Sequence, residues 1–390
     1  MKFLVSKDTF LDHLQRAAAV SPKSTSQEVL KYVKVTASPD GLTFLGNNNE
    51  VAFLSRLTED DGPLEVMAPG EALLNERVIR LCRELADESI EVSLEDGQLR
   101  IQGDGNSWQL QTQDTAEFPS LKQIESDPVI VGGGGLAKAI TRTVFACDVQ
   151  STRYALGGVL FELKGDFLHL AATDSRRLSH HVLRVQVKQG VKDTDLIADQ
   201  TVVPALALRN ALALCSADEV EIRQDASAIQ FSSAGGTLWC RLVEGRFPAF
   251  RDVIPNDYEM CVRAVAGPLA RAIRQAKVVD QKESTGSDFH IEDGVIHIDQ
   301  VGQDIGKSKI HLPVETHKMP DSVHGDGEGG GTLIANKPSM LVRIEGAYIL
   351  DLCKTLDATA LIEWTCMGSN MAQKFECDGT TYVVMPLSQE

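Results

Sequence analysis

Hydrophobic and polar positions along the chain alternate between short helical stretches and pairs of strand-like stretches, and the same order returns further on. Three segments share it: an apolar-periodic helix running into a cysteine, an acidic turn, then two strands with apolar residues at every second position. They read "VIRLCRELADESIEVSLEDGQLRIQG", "LRNALALCSADEVEIRQDASAIQFSS" and "YILDLCKTLDATALIEWTCMGSNMAQKFEC". Their cysteines, Cys82, Cys215 and Cys353, stand 133 and then 138 residues apart. Ahead of each segment lies a second unit, a short amphipathic helix followed by more strands. Its helices are "KDTFLDHLQRAAAV", "GGLAKAITRTVFAC" and "GPLARAIRQAKVV". Strand candidates such as "GGVLFEL", "FLHLAA" and "GVIHIDQ" are short and bounded by Gly or Asp.

This repetition predicts three similar α+β domains, 1–127, 128–257 and 258–390, each with two helices backed by antiparallel sheets. The six helices are expected at 7–20, 70–85, 135–147, 203–216, 268–279 and 346–357. The connections "FPSLKQIESDP" and "FPAFRDVIPNDYE" both carry Phe-Pro and are too brief for free domain motion. The polar, Gly-rich "MPDSVHGDGEGGG" at 319–331 reads as a flexible insertion in the third copy.

Bulk composition agrees with several domains, since 390 residues exceed what one core supports. No run of eighteen apolar residues exists, and "MKFLVSKDTFLDHL" turns to charge too soon for a signal peptide, so a cytoplasmic protein without a membrane segment is expected. The eight cysteines show no C-x-x-C spacing; Cys82, Cys147, Cys215 and Cys353 fall in helical, apolar contexts and read as buried reduced thiols. A net charge of −17 excludes a uniformly basic nucleic-acid coat. Yet the six helices hold twelve Lys/Arg against seven Asp/Glu, leaving −22 on the remainder. Either these helices present ordinary solvated faces, or Lys138, Arg142, Arg209, Arg271, Arg274 and Lys277 face phosphates. None carries the dense basic run of a groove-reading helix.

Candidate chemistry is sparse. "VIVGGGGLAKAI" has a G-x-G-x-x-A spacing from Gly132 to Ala137, but the short strands that follow are of antiparallel type and do not suit a dinucleotide fold. The nine histidines form no H-x-x-x-H or H-E-x-x-H pair, and neighbours His180 and His181 on a strand point to opposite faces. No catalytic set, cofactor or metal site is expected. What stands out is "HLAATDSRRLSHH" at 169–181, open to three readings: a kinase target, a metal or catalytic site, or one wall of a docking surface.

Four stretches, "STRYALGGVLFEL", "LAATDSRRLS", "EGRFPAFRDVIP" and the terminal "TYVVMPL", occur in order on a threefold repeat with an MKF-type start. Together they resemble the bacterial sliding clamps, the beta subunit family of DNA polymerase III. The resemblance implies a non-enzymatic protein without cofactors: a head-to-tail homodimer whose six domains close a ring around double-stranded DNA of any sequence. Twelve helices at roughly 10 Å spacing give a circumference of about 120 Å, room for a duplex and its water. Implied partners are the polymerase III catalytic subunit, the clamp loader, and other DNA polymerases and repair proteins.

These partners are expected to dock clamp-binding peptides, bearing a Gln and a terminal Leu-Phe pair, in a groove. By similarity its lining is Leu156, Thr173, Ser175, Arg176, Arg177 and Leu178, together with Pro248, Val253, Tyr348, Val383, Met385, Pro386 and Leu387. Arg177 is expected to hold the groove's shape. Lys23, Arg153 and Tyr154 join the helix cations in facing DNA, and Trp108 and Leu110 of one subunit meet Val278 and Val279 of the other. Ser175-Arg176 stands where the family most often has Gly-His, making the rim bulkier and more basic; Ala155 follows Tyr154 where a second aromatic is common; and the chain closes on "LSQE". Two rival readings are a nicotinamide-dependent enzyme built on the Gly-rich turn and a clamp-fold scaffold that is not loaded on DNA.

Overall fold

The computed structural model describes residues 1–187, 189–280, 286–302, 305–316, 332–333 and 339–387. The Gly-rich insertion at 319–331 therefore lies outside the described residues. The chain divides into two compact units, one of Met1–Ala137 with Val185–Leu242, the other of Lys138–Arg184 with Val243–Glu390.

The first unit contains two antiparallel sheets. In one, strands run in the order Leu64–Ala68, Lys2–Ser6, Ser89–Glu95, Gln98–Gly103, Asn106–Gln111. The other begins at Val129–Gly132, continues through Glu219–Gln224, Ala228–Ser233 and Gly236–Arg241, and passes by Val51–Leu57 to Gly41–Asn47, Val33–Ser38 and Gly70–Leu74. Helices Lys7–Ala18 and Glu76–Glu84 turn Phe10, Leu14, Val78 and Cys82 into a core with Phe3, Phe44 and Val92. Packing is close: a Cβ on Gly46 would lie 1.9 Å from the Ala17 carbonyl oxygen, so only glycine lets helix and sheet approach this far.

The second unit holds the strands Gly158–Lys164, Phe167–Thr173, Arg177–Arg184, Thr380–Val384, Gln373–Cys377, Leu361–Cys366, Met260–Val265 and Glu315–Thr316, side by side in that order. A separate four-stranded sheet runs Gly306–Pro313, Val295–Gly302, Ser287–Glu292, Ser339–Ile344. Helices Ala266–Ala276 and Gly346–Cys353 bury Leu269, Ile273, Ile349 and Leu352 against Phe289, Ile298, Trp364 and Tyr382.

Helices and strands fall where periodicity puts them, with three corrections. The helix expected at 70–85 begins only at Glu76, because Gly70–Leu74 is a strand paired with Val33–Ala37 and Asn75 caps the helix by accepting from the Arg77 amide at 3.0 Å. The helices expected to end at 147, 216 and 279 close as single 3-10 turns, Val144–Ala146, Leu212–Leu214 and Lys277–Val279. An extra one-turn helix, Asp193–Leu196, breaks the pattern of two helices per repeat. Cys147 follows its helical segment and is half-buried, unlike Cys82, Cys215 and Cys353, which are buried.

Main-chain ladders tie parts of the stretch expected as the second domain into each unit. In the first unit Gly236–Arg241 pairs with Val51–Leu57, setting Trp239 opposite Ala52. In the second, Arg177–Arg184 pairs with Thr380–Val384, setting Leu178 opposite Val383. The Phe-Pro connections are pinned rather than loose, since Phe118 and Phe247 are buried.

Candidate docking groove and cationic faces

The stretch that stood out in the sequence is a hairpin. Strands Phe167–Thr173 and Arg177–Arg184 are joined by a turn in which Asp174 Oδ1 accepts from the Arg176 and Arg177 amides, both at 3.0 Å. Thr173 Oγ1 donates to the Arg177 carbonyl at 2.7 Å and accepts from the Ser175 amide at 3.1 Å. Such Asx and hydroxyl turns fix a short loop without help from its exposed side chains. Ser175 adopts φ 73°, the left-handed region.

Arg177 organises the surface beneath. Its Nε donates to Asp174 at 2.9 Å, one terminal nitrogen to Asp351 at 2.7 Å, and the other to the Phe145 carbonyl at 3.2 Å. Its guanidinium also lies 4.6 Å from the centre of the Tyr348 ring and 5.6 Å from that of Phe145. Burial disfavours its charge, but Tyr382, Asp351 and Asp174 outweigh that and hold its pKa above the ordinary value. Partial burial likewise opposes ionisation of Asp351, yet Lys354 and Arg177 keep its carboxyl below the usual range. The two ends of the system therefore stabilise each other's charge.

Around this clamp, Leu156, Leu178 and Val383 are buried, whereas Val253 and Met385 are 53% and 45% exposed. Thr173 stands opposite Leu178, and Leu178 opposite Val383, across adjacent ladders. The Met385 amide donates to the Arg176 carbonyl at 2.9 Å, and the Leu387 amide to the Arg343 carbonyl at 2.8 Å, so the segment carrying Pro386 is tied at both ends. Exposed Pro248 precedes, and exposed Val253 ends, the 3-10 turn Phe250–Val253, whose Phe250 packs on His180 at 5.1 Å between ring centres; His180 in turn stacks on His169. The sequence reading missed these supports. Asp174 was visible three residues before Arg177, but Phe145 and Asp351 come from helical segments far away in the chain.

The expected phosphate-facing cations separate into two groups. Arg209, Arg271, Arg274, Lys23 and Arg153 are exposed, as is Tyr154 at 76%. Arg142 is a correction: it is 5% exposed and donates to the Cys377 carbonyl at 3.1 Å and to Thr380 Oγ1 at 3.0 Å. Lys138 is bonded to Asp378, and Lys277 is held between Asp280 at 2.5 Å and Glu345 at 2.6 Å, so these two lysines are already neutralised within the chain. Next to Arg142, burial and then the Arg142 charge push the His181 imidazole down to about 4; its Nδ1 lies 2.8 Å from Thr380 Oγ1. Beside Lys23, the first unit adds Lys31, Arg77 and Arg80, which the sequence reading did not name. A cavity of about 780 Å³ beside its two helices is lined by Lys23, Lys31, Arg77 and Arg80, with Glu28 and Glu76 among them.

The edges are equally informative. Asn106–Gln111 ends its sheet, with Trp108 and Leu110 half-buried on their own core, while the four-stranded sheet ends on Gly306–Pro313. Beside that second edge Val278 is 78% exposed, with Val301 at 55% and Ile305 at 58%; Val279 is half-buried. The Gly-rich turn carries no dinucleotide site: Val129–Gly132 pairs antiparallel with Glu219–Ile222, and a Cβ on Gly133 would sit 2.0 Å from the Ala217 carbonyl oxygen. That glycine lets the helix start lie close against the turn Cys215–Asp218.

Two family models match, the N-terminal domain of the DNA polymerase III beta subunit over residues 1–122 and its central domain over residues 131–249. The chain belongs to the DNA polymerase III beta subunit family. It is thus a sliding clamp of DNA replication, a non-catalytic processivity factor. The beta sliding clamp of Halalkalibacterium halodurans is 25% identical over 362 residues, covering 89% of this chain and 94% of that one. The Bacillus subtilis clamp structure superposes with a TM-score of 0.83 at 20% identity, covering all of both chains. A Pseudomonas aeruginosa clamp solved with bound griselimycin gives 0.83 at 22% identity, again over both full lengths. Among the described residues no helix is long and apolar enough to cross a membrane.

Proposed function

We propose that two copies of this chain join head to tail as a ring of six domains, 1–127, 128–257 and 258–390 from each, that slides on duplex DNA. In it the exposed Arg209, Arg271 and Arg274, with Lys23, Arg153 and Tyr154, meet phosphates through weak, sequence-independent contacts. Lys138, Arg142 and Lys277 serve the fold, so fewer cations carry the DNA than the sequence alone suggested.

The groove around Arg177 takes clamp-binding peptides of the polymerase III catalytic subunit, the clamp loader and other polymerases and repair proteins. One observation carries the docking role: Met385, an exposed apolar side chain, is tied by its amide to the Arg176 carbonyl, next to an arginine whose own hydrogen bonds are satisfied within the chain. An extended peptide with an apolar anchor suits such a surface, and Arg176 at the rim favours an acidic residue beside that anchor.

The deciding experiment loads the purified protein onto nicked circular DNA with a clamp loader and then linearises the circle. Topological binding predicts retention at high salt on the circle and loss on linearisation. Equal retention on both forms, or none on the circle, overturns the ring.

A further inference from the structure

The outward face of the four-stranded sheet carries a row of histidines across three neighbouring strands. His290 stands opposite His297, and His297 opposite His311. The Nδ1 atoms of His297 and His311 lie 2.6 Å apart, with ring centres separated by 4.8 Å and planes at 80°. The His290 ring is 5.9 Å from that of His297. Strand alternation gives the inner face to Phe289, Ile291, Ile296 and Ile298, all fully buried, so the histidines add nothing to the core.

A neutral imidazole carries its proton on one nitrogen and a lone pair on the other. Two Nδ1 atoms this close either share a single proton or, with both protons on Nε2, aim two lone pairs at one point. A zinc-type ion binds imidazole nitrogen at about 2.0–2.1 Å, and a tetrahedral angle then sets the two nitrogens about 3.3 Å apart. The observed pair needs to open by less than about 1 Å to admit one, a change small side-chain rotations supply. Nearby charges are balanced: Asp288 is paired with Arg343, Asp299 stands opposite Lys309, and Glu292 lies 3.5 Å from His290.

We propose that His297 and His311 chelate one imidazole-preferring divalent transition-metal ion, Zn²⁺ or Ni²⁺, clipping the edge strand Gly306–Pro313 to its neighbour. Among the described residues no three His, Cys, Asp or Glu side chains already surround one point, so His290 completes the site by rotation and water fills the rest. Sequence spacing could not show this, because the ligands meet across strands rather than along one.

The test titrates the full-length, reduced, chelator-treated protein with Zn²⁺ and Ni²⁺, and with Mg²⁺ in parallel, by calorimetry. One equivalent of Zn²⁺ or Ni²⁺ per chain is expected, with no Mg²⁺ signal. Affinity should fall at least tenfold in His297→Gln and in His311→Gln, fall less in His290→Gln, and stay unchanged in Cys147→Ser. Because His311 is exposed, His311→Gln also serves in thermal unfolding, where Zn²⁺ should raise the midpoint of the wild type and leave the variant unmoved. No binding to the wild type, or equal binding and equal midpoint shifts in wild type and His311→Gln, overturns the site.

Discussion

Ser175 holds a backbone conformation that suits glycine better than serine, and the cost is local. At φ 73° a Cβ crowds the adjacent carbonyl, a cost of about 1–2 kcal/mol that glycine avoids. Glycine loses about 0.5–1 kcal/mol more chain entropy on folding, so Ser175→Gly is expected to stabilise the protein by up to about 1 kcal/mol. Urea unfolding measures it; a lowered midpoint would show that the turn's hydrogen bonds depend on the serine. At this scale the sequence offered Arg177 through the family resemblance alone, and its partners Asp174, Asp351 and the Phe145 carbonyl came only with the structure. It misled for Arg142. Helical periodicity says which residues share a face, but not that the Cys377 carbonyl, from a strand of the third repeat, accepts from that guanidinium.

Elements were easier to read than their partners. The helix–cysteine–turn–strands order located the strands that follow each cysteine because alternation and Gly/Asp punctuation are local signals. The strand Gly70–Leu74 was lost inside a helix because "GEALLNERV" lacks a breaker between them; only Asn75, as an N-cap, marks the change. The groove depends on such long-range pairing: one hairpin, the helix Gly346–Cys353 and the last strand converge on Arg177. Arg177→Lys keeps the charge but cannot reach Asp174, Asp351 and the Phe145 carbonyl together. We expect the affinity for a clamp-binding peptide to fall about tenfold, equivalent to about 1.4 kcal/mol, with far less effect on dimer formation. Fluorescence anisotropy with a labelled peptide carrying a terminal Leu-Phe pair reads this directly. An unchanged Kd would mean that the arginine network supports the fold and not the groove.

At the scale of the whole molecule, local pattern announced an order of elements but not the two compact units, because ladders between distant strands leave no mark on it. The proposed ring rests on two sheet edges with unpaired main-chain groups on each chain, Asn106–Gln111 and Gly306–Pro313. Open edges invite pairing, and a head-to-tail dimer satisfies both at once. Trp108 and Leu110, expected to reach across to the partner, are half-buried on their own core and keep part of their surface for such a contact. Beside Gly306–Pro313 the exposed apolar side chains are Val278, which the sequence reading named, and Val301 and Ile305, which it did not; Val301 is near the end of the strand Val295–Gly302 and Ile305 lies just before the next. Burying a valine is worth about 1.5 kcal/mol or more, and an unpaired carboxylate in its place adds a desolvation cost of at least about 2 kcal/mol. Val278→Asp should therefore raise the dimer dissociation constant by more than about a hundredfold. Light scattering at micromolar concentration should show monomers of unchanged secondary structure, and these should fail to stay on circular DNA while still binding peptide. A Val278→Asp protein that remains fully dimeric would place the subunit contact elsewhere.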